Sequence, residues 1–364
     1  MESIPILALQ NIKGIGSTAI DRISSLPDAS NTATSAELLS MIKEARAAYG
    51  RITIPTIQDV EDAWVKASQI LDVSKENDIS IISRDSKKYP WLLKCIPDSP
   101  ALLHVKGNIK ALNQNCIAVI GTRNPNHYGI SASKKMGFDL SKKGYVVVSG
   151  LAEGIDSAAH RGSLEANGTT LAVLAHGLDS IYPAINKQLA TEILDNNGAL
   201  VSEYSWGTRI NRSYFVARDR IQSGLSLGVF VVETKIKGGT MHTVGFCEKH
   251  ERPLFVLNPP EYLIEDPLLS GNIQLISENR GSAVDISSNL MPVTDILESI
   301  KHELRLRFAK KYKYNEFEKN MGAEKPLEFN PSKTNVKLND STESPHGDKK
   351  KKHIIKNATL DLFP

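Results

Sequence analysis

Six short, β-branched runs, set apart by stretches of helical periodicity, limit this chain more than any other feature of its sequence. They fall at residues 117–120, 145–148, 171–174, 199–201, 229–232 and 254–257, each bounded by glycine or polar residues. Runs that are apolar at consecutive positions suit strands buried on both faces, and parallel strands joined by helices provide that setting. The expected fold is α/β: an extended Rossmann-like, doubly wound, mostly parallel sheet.

The flanks read differently. Residues 4–73 carry apolar side chains at helical spacing, as in Ile6, Leu9, Ile12 and Leu38, Leu39, Ile42. Within them Ile12-Lys13-Gly14-Ile15-Gly16 is similar to the hairpin of a helix-hairpin-helix motif. There Gly14 and Gly16 either expose backbone amides to a DNA phosphate or serve as a turn between packed helices. Beyond residue 290 a helix over 293–310 gives way to polar sequence with a lysine run, Lys349 to Lys352. The expected division is a helical domain at 1–75, a Rossmann-like domain at 76–290, and a C-terminal helix with a basic, disordered tail at 291–364.

Composition sets outer limits. With 364 residues, 41% of them hydrophobic and 23% charged, the chain resembles an ordinary soluble protein with room for more than one core. No run approaches the ~18 apolar residues of a membrane span. Glu2 and Pro5 stand where a secretory leader would be basic and then apolar, so a cytoplasmic protein without a membrane partner is expected. Cys95, Cys116 and Cys247 form no CxxC pair, and no HExxH occurs, so neither disulfide, metal nor cofactor is expected. The net charge of +3 does not by itself point to nucleic acid; the placement of cations decides.

Ligands of open parallel sheets gather at the carboxyl ends of strands, where loops enter helix N-termini. Five such loops carry anion-binding chemistry. The first, Gly121-Thr122-Arg123, offers close backbone approach, a hydroxyl and a guanidinium fork; it is not the GxGxxG of a dinucleotide site. The second, Ser149-Gly150-Leu151-Ala152-Glu153-Gly154-Ile155-Asp156, precedes His160, whose spacing from Asp156 fits an acid–base pair or a hydrogen bond that pins the loop. In the third, Tyr182-Pro183 turns the chain toward Asn186 and Lys187. The fourth places Arg218 and Arg220 about 160° apart on a helix, so one pairs internally and the other faces the groove. The fifth, Lys237-Gly238-Gly239-Thr240, is a glycine-rich cradle after the strongest strand.

In order and spacing these motifs, with Tyr89-Pro90-Trp91-Leu92-Leu93, Pro97-Asp98-Ser99-Pro100 and Lys106-Gly107-Asn108, resemble the DprA/Smf DNA-processing family over residues 79–285. The resemblance implies single-stranded DNA bound by its phosphates, a homodimer, and loading of the recombinase RecA in DNA uptake, transformation or recombination, with no bond broken. Carried onto matching positions, the DNA-contacting residues are Gly121, Thr122, Arg123, Ser149, Gly150, Asn186, Lys187, Gly239 and Thr240, with Arg220 and Arg218 competing for the groove. Two departures stand out: Asp219 separates two arginines where the family has Asn, and Gly238-Gly239-Thr240 replaces its Ser-Gly-Ser. The closing Leu360-Asp361-Leu362-Phe363 looks like a sliding-clamp peptide, with Leu360, Leu362 and Phe363 as anchors and the usual leading Gln absent. Two rivals share the sheet, a nucleotide phosphoribohydrolase and a nucleotide sensor. The first needs a Glu inside the glycine-rich loop, and none is present at Lys237 to Val244, although Glu233 stands just before it.

Overall fold

A computed structural model describes residues 1–287 and 290–312. The anchors Leu360, Leu362 and Phe363 lie outside the described residues.

Four helices come first: α1 (Ser3–Asn11), α2 (Ser17–Ser24), α3 (Ser35–Tyr49) and α4 (Ile57–Glu76). The longer two begin on reciprocal caps, Thr34 with Glu37 and Thr56 with Asp59, which satisfy amides that no helix bond can reach. Their apolar faces close a core that includes Ile6, Leu9, Ile23, Leu38, Ile42 and Val60 and extends to Leu102.

The sheet follows. Its first part comprises β1 (Ile79–Ser83), α5 (Trp91–Lys94), β2 (Leu102–Gly107), β3 (Cys116–Ile120), α6 (His127–Lys142), β4 (Val146–Ser149), α7 (Ile155–Glu165) and β5 (Thr170–Leu174). Next come α8 (Lys187–Asp195), β6 (Ala199–Ser202), α9 (Arg212–Leu225), β7 (Val229–Val231), α10 (Thr240–Lys249) and β8 (Leu254–Leu257). The last elements are α11 (Ser270–Ser277), β9 (Ser282–Val284) and α12 (Met291–Tyr312). The nine strands lie in the order β1-β2-β6-β5-β4-β3-β7-β8-β9. Pairing is parallel from β6 through β9, and antiparallel between β1 and β2 and between β2 and β6.

All six expected strands form, and three more join them. The β1, β2 and β9 segments lack a continuous apolar run: β2 holds His104 and Lys106, and β9 has three residues of which two are exposed. The edge strands β1 and β9 need only one buried face, so they lack the signal that marks central ones, whereas in β2 the buried His104 breaks the apolar run.

Alternate residues of each central strand serve opposite faces. On one face Ala118, Val148, Val173 and Val231 meet Ile221 and Leu225 of α9 and Val244 of α10. On the other, Ala172, Leu174 and Leu200 meet Leu189 and Ile193 of α8. The sheet is thus covered on both sides, as doubly wound folds require. Among the described residues no helix is long and apolar enough to cross a membrane.

Helices α6 and α7 approach so closely that glycine is required at the contact. A Cβ on Gly162 would overlap the Lys134 carbonyl, and one on Gly137 would overlap that of Ala159. Because backbone cannot yield as a side-chain tip can, Gly162→Val should destabilise the protein by about 2 kcal/mol or more, read as a lower urea midpoint with an unchanged slope.

Candidate nucleic-acid interface

The strand order reverses between β3 and β7, and their loops leave for different helices there. A cleft of about 400 Å³ opens at that point, at the carboxyl ends of the strands. Its lining comes from Gly121 to Arg123 after β3, Ala152 after β4, Thr234 to Thr240 after β7, and the side chains of Phe215, Arg218, Asp219 and His242.

The first loop is strapped from both sides. The Thr122 amide donates to the Glu233 carbonyl at 2.8 Å, and the Ile155 amide donates to the Thr122 carbonyl at 3.2 Å. Gly154, at φ 79°, packs where a Cβ would fall 2.6 Å from the carbonyl oxygens of Thr122 and Arg123. Asn126 caps α6 through the Gly129 amide at 2.8 Å. Its own amide donates to Glu233 Oε1 at 3.1 Å. Arg123 thereby projects from a fixed backbone, exposed, with its guanidinium 5.0 Å from the centroid of the Phe215 ring. On the far wall Gly239 precedes α10, and Thr240 is its first residue. The first amides of a helix lack intrahelical partners and carry the positive end of its dipole. Lys235 adds an exposed cation.

A second, contiguous cleft of about 190 Å³ continues past Arg123, lined by Gly150, Tyr182, Pro183 and Phe215. Tyr182, joined to Pro183 by a cis peptide, stands 5.9 Å from Phe215 between ring centroids. Arg123 and two aromatic faces thus share the groove, an arrangement that suits a strand of phosphates and unpaired bases.

Beneath the cleft lies buried charge. Arg218 packs against Gly150, bonds the Val173 carbonyl through Nη1, and pairs with Asp219 at 3.2 Å. Burial, reinforced by the nearby Asp156 carboxylate and opposed by Arg218, pushes the Asp219 pKa up to about 6. Asp156 is raised as well by burial, while Arg218 and the amides of Gly150 and Ala152 oppose that shift.

Several expected contacts are placed otherwise. Arg220 does not face the groove: it grips both carboxylate oxygens of Glu203, and its Nε donates to the Asp98 carbonyl at 3.0 Å. Of the two arginines, Arg218 borders the clefts. Ser149 is buried and donates to the Val119 carbonyl at 2.7 Å, tying β4 to β3. Asn186 is buried and donates to the Leu151 carbonyl at 2.9 Å. Both serve the scaffold, because strand ends carry polar groups that burial obliges the chain to satisfy. Lys187 is exposed at the start of α8 but lines neither cleft. His160 does not meet Asp156; its Nδ1 bonds Thr170 Oγ1 at 2.7 Å, and burial pulls its pKa down to about 3. Asp156 instead accepts from the Gly150 amide at 3.1 Å and the Ala152 amide at 3.4 Å, pinning its loop. Gly14, at φ 86°, and Gly16, the N-cap of α2, form an exposed turn away from the cleft lining. Phe215, Lys235 and His242 were not singled out by sequence as site residues, and Tyr182 only as part of a turn; an aromatic beside the arginine pair was the available signal for Phe215.

The family model for DNA recombination-mediator protein A matches residues 80–294. The chain is 38% identical over 236 residues to the DNA processing protein DprA of Bacillus subtilis, covering 64% of this chain and 78% of that one. It is 37% identical over 198 residues to the protein Smf of Synechocystis, spanning half of that relative's length. Among solved structures it resembles DprA of Streptococcus pneumoniae, with a TM-score of 0.64 and 28% identity over 78% of this chain and 95% of that one. It also resembles DNA processing protein A of Helicobacter pylori, described for its single-stranded DNA binding mode, with a TM-score of 0.52 and 26% identity over 62% and 96% of the two chains.

Glu233 couples the two loops at the crevice and is fully buried, with Oε2 lacking a hydrogen-bond partner. Burial raises its pKa to about 7, opposed by the Asn126 amide. A raised carboxyl binds its proton more tightly when folded, so its contribution is fully present below the ordinary value of 4.5 and is lost as pH rises through about 7. Glu233→Gln, which removes the charge, should therefore raise Tm by a few degrees at pH 8 and change it little at pH 4.5 in thermal denaturation.

Proposed function

The chain belongs to the DNA recombination-mediator protein A family, and on that premise we propose that it binds single-stranded DNA along the crevice between β3 and β7, without breaking a bond. The observation that carries this reading is Arg123, fixed on a strapped loop, stacked over Phe215 and facing the start of α10. Phosphates lie against Arg123, Lys235 and the amides of Gly239 and Thr240. Gly121 and Thr122 let the backbone approach, and bases rest on Phe215 and Tyr182. Gly150 acts indirectly, as the floor that lets Arg218 reach the groove. Lys187 contributes a more distant charge.

Glu233 favours binding over nucleotide hydrolysis. Its carboxylate is directed to the Asn126 amide and does not line the cleft, so it is not positioned as the phosphoribohydrolase acid. In the same reading the bound strand is protected and passed to a RecA-type recombinase in DNA uptake, transformation or recombination. The protein acts there as a cytoplasmic homodimer, and its last residues, Leu360, Leu362 and Phe363, dock on the sliding clamp.

Fluorescence anisotropy with labelled single-stranded and duplex oligonucleotides over a salt series tests the site. A preference for the single strand and a linear fall of log affinity with log salt are expected. Arg123→Glu should weaken binding by about tenfold or more, and unaltered affinity in that variant would sink the assignment. Arg220→Gln, which breaks an internal pair, should lower Tm and leave the salt slope unchanged.

Affinity should also depend on pH through Asp219. As pH falls through about 6 that carboxyl gains a proton. A negative charge beneath the phosphates then disappears, and binding should tighten severalfold between pH 7.5 and 5.5. Asp219→Asn should bind more tightly at pH 7.5 and flatten the pH profile measured by the same anisotropy.

A further inference from the structure

We propose that a separate cleft, at the amino ends of the strands, binds a phosphate-class oxyanion through Arg252. The cleft has a volume of about 240 Å³ and lies between the last turns of α12, the segment after α5 and the turn joining α10 to β8. Four cations line it, Lys249, Arg252, Arg307 and Lys311, against one carboxylate, Glu251.

Arg252 is the centre of the site. It is 5% exposed, its Nη2 donates to the Leu92 carbonyl at 3.2 Å, and its Nε has no hydrogen-bond partner. Burial lowers its pKa, and the groups that act on it include the Cys95 and Cys247 thiols, the Arg307 guanidinium and the Glu251 carboxylate, none of them a bonded counter-ion. A buried guanidinium is normally paired, because removal from water is costly without a bonded counter-ion. Glu251 does not fill that role, since it is bonded to Arg307, which also holds Glu303.

The other cations frame the opening. Lys249 pairs with Asp98 at 2.6 Å, and the same carboxylate accepts from His250 at 3.1 Å. His250 also meets Ser223 at 3.1 Å, and burial lowers its pKa despite Asp98. Ser223, His250 and Asp98 do not form a nucleophilic triad, because Ser223 is fully buried. Lys311 stands 5.3 Å from the Tyr312 ring centroid and forms no ion pair with a described residue. A planar donor fork with unused capacity, flanked by an ammonium that has no ion pair among the described residues, matches the tetrahedral oxygens of phosphate.

Residues 249–252 enter β8 at its amino end, whereas the crevice lies at the carboxyl ends of the parallel strands. The two sites are therefore at opposite ends of the parallel strands, and this proposal does not rest on DNA binding.

Thermal denaturation of the full chain tests it, with inorganic phosphate titrated against sodium chloride of equal ionic strength. A saturable rise in Tm with phosphate is expected, undiminished in Arg123→Glu and absent in Arg252→Met. Since Arg252→Met removes a buried group and can fail to fold, Lys311→Glu provides the second variant; it should weaken the phosphate response by about tenfold with little change in the starting Tm. Titration with deoxyadenosine 5′-monophosphate separates the sources: tighter, Lys311-dependent binding than that of phosphate identifies a phosphomonoester, and equal or weaker binding identifies the free ion. No rise beyond that of chloride, or a rise lost in Arg123→Glu and retained in Lys311→Glu, would overturn the proposal.

Discussion

The Thr122 amide reaches the Glu233 carbonyl at 2.8 Å across the place where the strand order turns back on itself. Successive crossovers build outward from β3 in one direction as far as β6, then in the other through β7, β8 and β9. Between β3 and β7 the loops depart toward α6 and α10, and a crevice is the geometric consequence. That backbone bond, with the Glu233 carboxylate behind it, ties together the two loops that wall the crevice. The lining at Arg123 and the start of α10 inherits its position from it.

Charge in this region is layered. Exposed cations, Arg123 and Lys235, stand at the rim, while Arg218 lies beneath them among Val173, Asp156 and Asp219. The buried arginine orders the floor more than it attracts a ligand, because its field is partly cancelled by the two acids. Arg220, two residues on, points to the other side of α9 and clamps Glu203 and the Asp98 carbonyl. One helix therefore braces two regions with two arginines, and the Asp between them adjusts the potential at the crevice with pH. Asp98 extends the second brace to Lys249 and His250, beside the cleft that holds Arg252.

How far the molecule could be read in advance differs by element. The six central strands announced themselves because burial on both faces demands unbroken apolar runs, as in Cys116–Ile120 and Thr170–Leu174. The edge strands β1 and β9 carried no such demand, and β2, interior but interrupted by His104 and Lys106, went unseen with them. At the site, Arg123 and Gly239 were legible because loop position alone places them at strand ends. Ser149 and Asn186 were not, since a serine or asparagine in a loop reads the same whether it donates to a ligand or to Val119 and Leu151.

The sequence by itself determined the α/β class, the ends of the central strands and the loops that carry the anion-binding chemistry. Those follow from local periodicity and from the turn requirements of glycine and proline. Only the tertiary structure decided which polar groups remain available: that Arg220 is taken by Glu203, that Phe215 lies under Arg123, and that Arg252 is buried with a donor unused. The reason is that a side chain's availability depends on partners far along the chain. Arg220 meets Asp98 across 122 positions and Arg252 meets Leu92 across 160, separations over which sequence pattern carries no information.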